Sequence, residues 1–286
     1  MNGVKTCIIG GSGVVGFDSF TEIESMDVET PYGGTSDQIR VGRLEGVKVA
    51  FLSRHGQGHS LSPTNIPSRA NIYALKKIGI ERILSVSAVG SLKEEVKPLD
   101  LVVPDQLIDR TRNRISTFFE GPVVAHVSFS DPYCPVLTQK LGQVAKLHAV
   151  DVHMGGTYVV IEGPQFSTRA ESNVYQSWGA SVIGMTALPE AKLAREAGIC
   201  YATLALVTDY DCWHDTEEEV SVDVVLSNMK KNVKTSAGVL KSVLREIPEQ
   251  FDCMCSKSLD NSVITNLDLI SEDVKSHLKV IMGKVT

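Results

Sequence analysis

Lys5-Thr-Cys-Ile-Ile-Gly10 opens the patterned part of the chain and leads directly into Gly11-Ser-Gly-Val-Val-Gly16. The first run is short, apolar and closed by glycine, which is typical of a buried β-strand. The second run matches the GxGxxG pattern of a dinucleotide-binding turn. In that kind of unit the turn opens a helix, and a parallel strand ending in an acidic residue follows about 20 residues later.

The residues after Gly16 do not continue such a unit. They are polar up to the turn Thr30-Pro-Tyr-Gly-Gly34, and two strands are then predicted at 38–42 and 47–53, around Leu44-Glu45-Gly46. An antiparallel hairpin therefore replaces the helix and parallel strand that the dinucleotide motif requires. The glycines indicate either a cradle of backbone N–H groups for a small anion such as phosphate, or a tight turn without a ligand.

Outward from this stretch, short apolar runs alternate with helical patterns almost to the C-terminus, which predicts a single α/β domain over residues 1–286. Further strands are predicted at 82–88, 100–104, 157–161 and 200–208. Helices are predicted from Ser68, over 137–144, after the capping box of Thr168 and Glu171, between Pro189 and Gly198, and from Ser221. The pattern weakens beyond Lys257, so 257–286 is a weakly patterned C-terminal segment.

Composition narrows the class of protein. The chain has 286 residues, of which 43% are hydrophobic and 22% charged, and a formal net charge of −6. This acidic balance predicts no nucleic-acid partner. The N-terminus lacks the basic and apolar stretches of a signal peptide, and no apolar run is long enough to span a bilayer. We therefore expect a cytoplasmic protein with no membrane partner.

Six cysteines are scattered along the chain. They include no CxxC pair and no zinc-type spacing, and several lie in apolar runs, where a free thiol behaves as a small hydrophobe. The spacing therefore predicts reduced thiols and no metal site.

Polar residues follow several predicted strands. Arg54 and His55 follow the strand at 47–53, and Ser87 and Ala88 end the strand at 82–88. Thr186 follows the run 181–185 in a similar way. Ligands gather at the carboxyl ends of strands in open α/β sheets, and a guanidinium fork, an imidazole and hydroxyl groups all suit a phosphate.

Asp209 and Asp211 come directly after the apolar run 200–208. Two carboxylates buried there without partners would be costly. From spacing alone, a surface loop with helix-capping acids is the simpler interpretation. The alternative interpretation is that both carboxylates face a base that carries a ring nitrogen and an exocyclic amine.

A series of motifs occurs in order over residues 5–241. They are Ile8-Ile-Gly-Gly-Ser-Gly13, Arg54-His-Gly56, Ala88-Val-Gly-Ser-Leu92, Asp105-Gln-Leu-Ile-Asp-Arg-Thr111, Ile161-Glu-Gly-Pro-Gln-Phe-Ser167, Arg169-Ala-Glu171, Gly198-Ile-Cys-Tyr201 and Thr208-Asp-Tyr-Asp-Cys-Trp213. In these motifs the chain resembles the trimeric methylthioadenosine phosphorylase branch of the purine nucleoside phosphorylase superfamily. The resemblance implies a nucleoside phosphorylase fold, in which helices flank a central mixed, partly barrel-like β-sheet.

The resemblance also implies the site. The residues that match phosphate-binding positions are Ser12, Arg54, His55, Ser87, Ala88 and Thr186. Those that match positions around the purine are Phe166, Ser167, Asp209 and Asp211, and Met185 matches the residue that packs against the ribose. The 5′-substituent pocket is matched by His59, Pro63, His126, Val222, Val225 and Leu226, where His126 corresponds to a residue that reaches into a neighbouring subunit's site. A homotrimer without cofactor or metal is implied, with inorganic phosphate as co-substrate.

The expected reaction is phosphorolysis of 5′-methylthioadenosine to adenine and 5-methylthioribose-1-phosphate, a step of purine and methionine salvage that recycles a by-product of polyamine synthesis. Adenosine and deoxyadenosine are expected secondary substrates. Asp209 is the candidate general acid at purine N7, and Asp211 the acceptor for the adenine amine. Two alternatives stay open: a phosphorylase of 6-oxopurine nucleosides, and a non-catalytic nucleoside- or dinucleotide-binding protein. The family often has asparagine where this chain has Gly184, which bears on phosphate and ribose affinity.

Overall fold

The computed structural model describes residues 3–11, 19–148, 151–214 and 222–283. The strands in this part of the chain belong to one mixed sheet of eleven strands. Their bounds are Thr6–Gly10 (β1), Phe20–Met26 (β2), Ile39–Leu44 (β3), Val47–Ser53 (β4), Arg82–Ser91 (β5), Leu101–Val103 (β6), Gln106–Arg110 (β7), Val152–Met154 (β8), Thr157–Ile161 (β9), Val182–Gly184 (β10) and Cys200–Tyr210 (β11).

The sheet branches at β5. One edge of β5 pairs with β1 through its first residues and with β10 through Gly90 and Ser91. The other edge pairs in parallel with β11 along its whole length. The strand order β2-β3-β4-β1-β5-β10-β9-β7 follows the first edge, and β11, β6 and β8 extend the second. Because of this branch, the C-terminal ends of β5 and β11 meet the residues that follow β4 and β10.

Helices cover both faces of the sheet. Their bounds are Ser68–Lys77 (α1), Pro135–Lys146 (α2), Arg169–Ser177 (α3), Glu190–Glu196 (α4), Val222–Glu246 (α5) and Glu272–Met282 (α6). Buried side chains of α1, α4 and α6 share one apolar cluster, and those of α2 and α5 share another. Strand β1 alternates between the two, since Cys7 and Ile9 lie in the first cluster and Ile8 in the second. Burial on both faces explains why this strand is an uninterrupted apolar run.

Most of the predicted elements are confirmed. The segments 39–42 and 47–53 lie in the antiparallel strands β3 and β4, and the described residues between β1 and β3 contain strand β2 and no helix. The capping box of Thr168 and Glu171 is formed at the start of α3. The mixed sheet with helices on both faces confirms the predicted α/β fold class.

Four predictions need correction. The polar segment 20–26 is the edge strand β2, whose residues are all exposed or only half-buried, so it lacks an apolar alternation. The short strands β7, β8 and β10 are not apparent in the sequence. Ser68 is the first residue of α1, and its N-cap position is held by Pro67. Beyond Lys257 the chain forms α6, which buries Leu278 and Ile281.

The assignment of residues 1–286 to one domain stays a prediction. Across the described ranges, no helix combines the length and the apolar character that crossing a membrane requires.

Candidate active site

A cavity of about 570 Å³ opens at the C-terminal ends of β5 and β11. The loops after β4, β9 and β10 and the first turns of α5 complete its wall. The lining residues predicted from the sequence are Arg54, His55, His59, Pro63, Ser87, Ala88, Phe166, Ser167, Met185, Thr186, Asp209, Asp211, Val225 and Leu226. The tertiary structure therefore brings candidates from six separated segments to one site.

Three predicted site residues are not among the described residues that line the cavity. Ser12 lies outside the described residues, although its neighbour Gly11 lines the cavity. Val222 is the first residue of α5, and its side chain is not among those described. His126 is exposed and lies away from the cavity, with its backbone N–H donating to the carbonyl of Ser262. The role of His126 in a neighbouring subunit stays a prediction.

Asp209 reaches the cavity through an irregularity in the sheet. The register of β11 against β5 shifts between Val207 and Asp209, so that Thr208 is an extra residue in its strand. Such a bulge turns the following side chain to a new direction. Two amides of α5 hold the bulged backbone: Asn228 Nδ2 donates to the Thr208 carbonyl at 2.7 Å, and Asn232 Nδ2 to the Val207 carbonyl at 2.8 Å.

Both aspartates are buried, with 9% of Asp209 and 4% of Asp211 exposed. Burial raises the pKa of Asp209 to about 6, and the nearby charge of Asp211 acts in the same direction. The hydroxyl of Thr208, which donates to Asp209 Oδ2 at 2.6 Å, opposes this rise. Burial also raises the pKa of Asp211. Because a desolvated carboxyl holds its proton more tightly, Asp209 can donate a proton near neutral pH.

Gly90 makes room for the Asp209 carboxylate. A Cβ atom at Gly90 would lie 3.0 Å from Asp209 Oδ1 and 3.2 Å from the side chain of Ile183. The close approach explains why a residue without a side chain stands opposite Asp209 in the β5–β11 ladder.

Two hydroxyls of residues predicted to bind phosphate lie in one part of the cavity wall. Thr186 Oγ1 donates to Ser87 Oγ at 2.9 Å, which joins the end of β5 to the loop after β10. Either hydroxyl of this pair can donate to a ligand, because hydroxyl hydrogens rotate. Ala88, the next residue of β5, also lines this part.

The guanidinium of Arg54 corrects one expectation. It was expected to offer its fork to phosphate, but Nε and Nη2 donate to the two carboxylate oxygens of Glu190 at 2.9 and 3.0 Å. Nη2 also donates to Ser85 Oγ, and Nη1 donates to the Val86 carbonyl. A guanidinium has five N–H hydrogens, so one Nη1 hydrogen is left without a partner in the described part of the chain.

The imidazole of His55 corrects a second expectation. Burial lowers the pKa of His55 to about 4, so the ring is neutral at pH 7. Its Nδ1 lies 2.9 Å from the carbonyl of Leu61, which can only accept, so Nδ1 carries the proton. Nε2 is consequently an acceptor and not the donor that was expected. The ring stacks on His59 with 4.1 Å between centroids.

The part of the cavity that is predicted to hold the purine and ribose carries a hydroxyl without a partner among the described residues. Ser167 Oγ is buried and has no hydrogen-bond partner among the described residues, while Phe166 is 47% exposed. Met185 is held by its backbone, because the buried Arg114 side chain donates to its carbonyl at 2.5 Å. Arg114 also binds the carbonyls of Ile161, Glu162 and Leu188, and thereby ties the loops after β9 and β10 together.

The opposite wall is apolar and comes from α5. Val225 and Leu226 line the cavity as predicted, and Met229 and Val233 extend the same helical face. Met229 and Val233 were not predicted as site residues. Met229 lies three to four residues after Leu226 and Val225, and Val233 lies four residues after Met229, and this helical spacing is the signal that could have placed them on the same face.

Four residues that hold site residues in place, without lining the cavity themselves, were not predicted from the sequence. They are Arg114, Glu190, Asn228 and Asn232. Glu190 is 3% exposed, binds Arg54, and accepts the hydroxyl of Tyr201 at 2.8 Å. The partners of all four residues are distant in sequence, so no local spacing reveals them.

Comparisons with known proteins found relatives over nearly the whole chain. The model of the Phosphorylase superfamily matches residues 5–245. The chain is 51% identical over 284 residues to the S-methyl-5′-thioadenosine phosphorylase of Thermosynechococcus vestitus, covering 98% of each chain. It is 49% identical to a methylthioadenosine phosphorylase from an Antarctic soil metagenomic library, with a TM-score of 0.94 and coverage of 98% and 99%. A variant of the adenosine/methylthioadenosine phosphorylase of Schistosoma mansoni, solved in complex with methylthioadenosine, is 33% identical with a TM-score of 0.82 and 98% coverage of both chains.

Proposed function

The chain belongs to the phosphorylase superfamily and, within it, to the S-methyl-5′-thioadenosine phosphorylases, and we propose that it cleaves 5′-methylthioadenosine with inorganic phosphate. The products are adenine and 5-methylthioribose-1-phosphate, which return to purine and methionine salvage. Adenosine and deoxyadenosine are secondary substrates.

The observation that carries this proposal is the shared cavity of Asp209 and the hydroxyl pair of Ser87 and Thr186. A binding protein for a nucleoside alone has no use for both a buried acid and an anion site. In phosphorolysis the departing purine gains negative charge, felt mainly at N7, while phosphate attacks the anomeric carbon. A carboxyl with a pKa of about 6 is protonated in about a tenth of molecules at pH 7, and it can share or deliver that proton to N7.

Phosphate is held by a mixture of donors and one acceptor. Ser87 supplies a hydroxyl, and Arg54 supplies its remaining Nη1 hydrogen and a positive charge that is compensated from behind by Glu190. His55 Nε2 accepts from the P–OH group of monohydrogen phosphate, because the neutral ring carries its proton on Nδ1. Gly11, which lines the cavity at the end of β1, adds a backbone N–H donor, and Ser12, which matches a phosphate-binding position of the family, adds a hydroxyl. These groups orient the nucleophile beneath the sugar.

Adenine is favoured over a 6-oxopurine by the second carboxylate. Asp211 is buried, and its ionised form can accept a hydrogen bond from the adenine amine. An oxopurine would place O6 against an acceptor, a mispairing that a polar site rejects strongly. Ser167 Oγ, which lacks a partner among the described residues, is free to bind the purine.

The apolar wall of α5 selects the 5′ end. Val225, Leu226 and Met229 face the cavity together with Pro63 and His59, and this lining suits a methylthio group better than a hydroxyl. We propose that the enzyme works in the cytoplasm as a homotrimer, without a cofactor in the reaction, and that His126 of one subunit completes the 5′ pocket of its neighbour. Sedimentation at the mass of a single chain would contradict the trimer.

The direct test is release of free base from methylthioadenosine, adenosine, deoxyadenosine and inosine, each with and without phosphate. The proposal expects adenine release that depends on phosphate and is fastest from methylthioadenosine. Inosine cleavage alone would move the enzyme to the oxopurine phosphorylases and overturn the role of Asp211. Binding of nucleosides without turnover would support the non-catalytic alternative.

A further inference from the structure

Four cysteines from distant parts of the chain meet at one point. The Sγ atoms of Cys134, Cys200, Cys253 and Cys255 all lie within 4.8 Å of one another. Three of these residues are buried and Cys253 is half-buried, so the cluster can be reached from one side. None of the four lines the cavity or takes part in the proposed reaction, and the sequence has no zinc-type cysteine spacing that would indicate the cluster.

The dimensions of the cluster fit one tetrahedral ion. Zinc bound by four thiolates has Zn–S bonds of about 2.3 Å, which places the sulfurs about 3.8 Å apart. The measured separations bracket this value, since Sγ of Cys200 and Cys253 are 3.5 Å apart and every other pair lies within 4.8 Å. A disulfide requires the approach of only two sulfurs, to about 2.05 Å. Mutual approach of four sulfurs is the arrangement that a single shared ion requires.

The surroundings favour thiolates over thiols. Cys134 holds the N-cap position of α2, a helix of 12 residues, where the helix dipole stabilises negative charge. Arg82, which pairs with Cys200 between β5 and β11, brings a buried guanidinium to the same region.

The backbone around the cluster is already ordered. The N–H of Cys134 donates to the Tyr201 carbonyl at 2.8 Å, so Cys134 is fixed beside the start of β11. The Arg82 guanidinium donates to the Glu249 carbonyl and lies 4.7 Å from the ring of Phe251, which anchors the segment that carries Cys253. A metal ligand set that is pre-positioned in this way loses little entropy on binding.

We propose that Cys134, Cys200, Cys253 and Cys255 form a structural Zn²⁺ site that fastens the segment after α5 to the starts of α2 and β11. Each Zn–S bond replaces an S–H bond and releases its proton to solvent. Four soft thiolate ligands with no open coordination position are typical of a structural site rather than a catalytic one.

The test measures metal content and metal binding of the full chain. Protein purified under reducing conditions with zinc in the growth medium is analysed for zinc by mass spectrometry, and metal-depleted protein is titrated with Co²⁺. We expect about one zinc per chain and thiolate-to-cobalt charge-transfer absorption that saturates at about one equivalent. Alkylation of the native protein should reach Cys253, the half-buried member of the cluster, only after a chelator removes the metal.

The variant pair is Cys253→Ser with Cys255→Ser, and the matched control is Cys7→Ala, a buried cysteine whose Sγ contacts the Ile8 carbonyl. The double variant should lose zinc and the cobalt signal, and its melting temperature should no longer respond to a chelator. The control should keep all three properties, and base release by both proteins reports that they are folded.

Zinc below about 0.1 per chain in the wild-type protein, together with absent cobalt absorption, would overturn the proposal. So would intact mass spectrometry of protein prepared without reductant that shows these cysteines joined as disulfides and no retained zinc. The wild-type measurements stand on their own if the double variant does not fold.

Discussion

Replacing Asp209 with asparagine should make the enzyme more stable and far less active. The carboxyl is 9% exposed, and burial raises its pKa from 3.8 to about 6. A carboxyl whose pKa is higher in the folded than in the unfolded chain binds more protons when folded. The folded protein therefore loses stability as the pH rises from about 4 to about 6, and the loss is constant above that range.

The size of this loss follows from the two pKa values. The interval from 3.8 to about 6 corresponds to about 3 kcal/mol, at about 1.4 kcal/mol per pH unit. Asp209→Asn removes the charge and keeps an oxygen that can accept the Thr208 hydroxyl, now at 2.6 Å from the carboxylate. At about 2 °C per kcal/mol, we expect the melting temperature at pH 8 to rise by about 6 °C. The gain should shrink steadily below pH 6.

The loss of activity has a separate origin. Asparagine cannot transfer a proton to N7, and general acid catalysis contributes about 10²–10⁴ in rate, or about 3–5 kcal/mol of transition-state stabilisation. We expect kcat/KM for phosphate-dependent release of adenine from methylthioadenosine to fall by that factor. The alkaline limb of the pH profile that belongs to the Asp209 carboxyl should also disappear.

The assays are differential scanning calorimetry at pH 4.5 and pH 8, and base release under saturating phosphate. Asp100→Asn is the matched control, because Asp100 is buried outside the cavity and accepts hydrogen bonds from His153 Nε2 and the Lys97 N–H, both at 2.8 Å. That variant should lose stability and retain base release. Unchanged stability of Asp209→Asn at pH 8 would refute the raised pKa, and turnover within about threefold of the wild type would refute the role in proton transfer.

Three further substitutions probe the supporting structure. Glu190→Gln leaves the buried Arg54 guanidinium without a compensating charge, so the free energy of unfolding measured in urea should fall by about 3–5 kcal/mol. A fall below about 1 kcal/mol would mean that the pair is solvated. Gly184→Ala places a Cβ atom against the hydroxyl of Tyr158, and the resulting fall in melting temperature should be partly reversed by adding Tyr158→Phe. Equal melting temperatures of the single and double variants would contradict that contact. Leu226→Ser should narrow the ratio of kcat/KM for methylthioadenosine over adenosine by about tenfold, and an unchanged ratio would remove Leu226 from the 5′ pocket.

Local features of the sequence were sufficient for most of the fold. The run Cys200-Tyr-Ala-Thr-Leu-Ala-Leu-Val-Thr208 is apolar because β11 is buried on both faces, and the capping box of Thr168 and Glu171 involves residues three apart. Elements without such a local signal were missed. The edge strand β2 buries no side chain completely, and α6 acquires its apolar contacts only from the sheet and helices against which it packs.

The identities of the site residues were also accessible from the sequence, since ordered motifs resemble those of a known family. The protonation states and hydrogen-bond partners of these residues could not be predicted from the sequence. His55 loses its role as a donor because Leu61 fixes its tautomer, and Arg54 directs two of its five N–H hydrogens to Glu190, 136 residues away. The proton affinity of Asp209 depends on a bulge that two α5 asparagines hold in place.

The four cysteines show the same division most clearly. The sequence by itself determined that this chain is an α/β protein with a nucleoside-type site, because burial patterns, helix caps and motifs each depend on residues that are close together in the sequence. Only the tertiary structure decided which distant side chains meet: Cys134 and Cys200 with Cys253 and Cys255, and Arg54 with Glu190. Desolvation, charge pairing and metal geometry act through space over a few ångströms, so they depend on long-range packing that spacing along the chain does not encode.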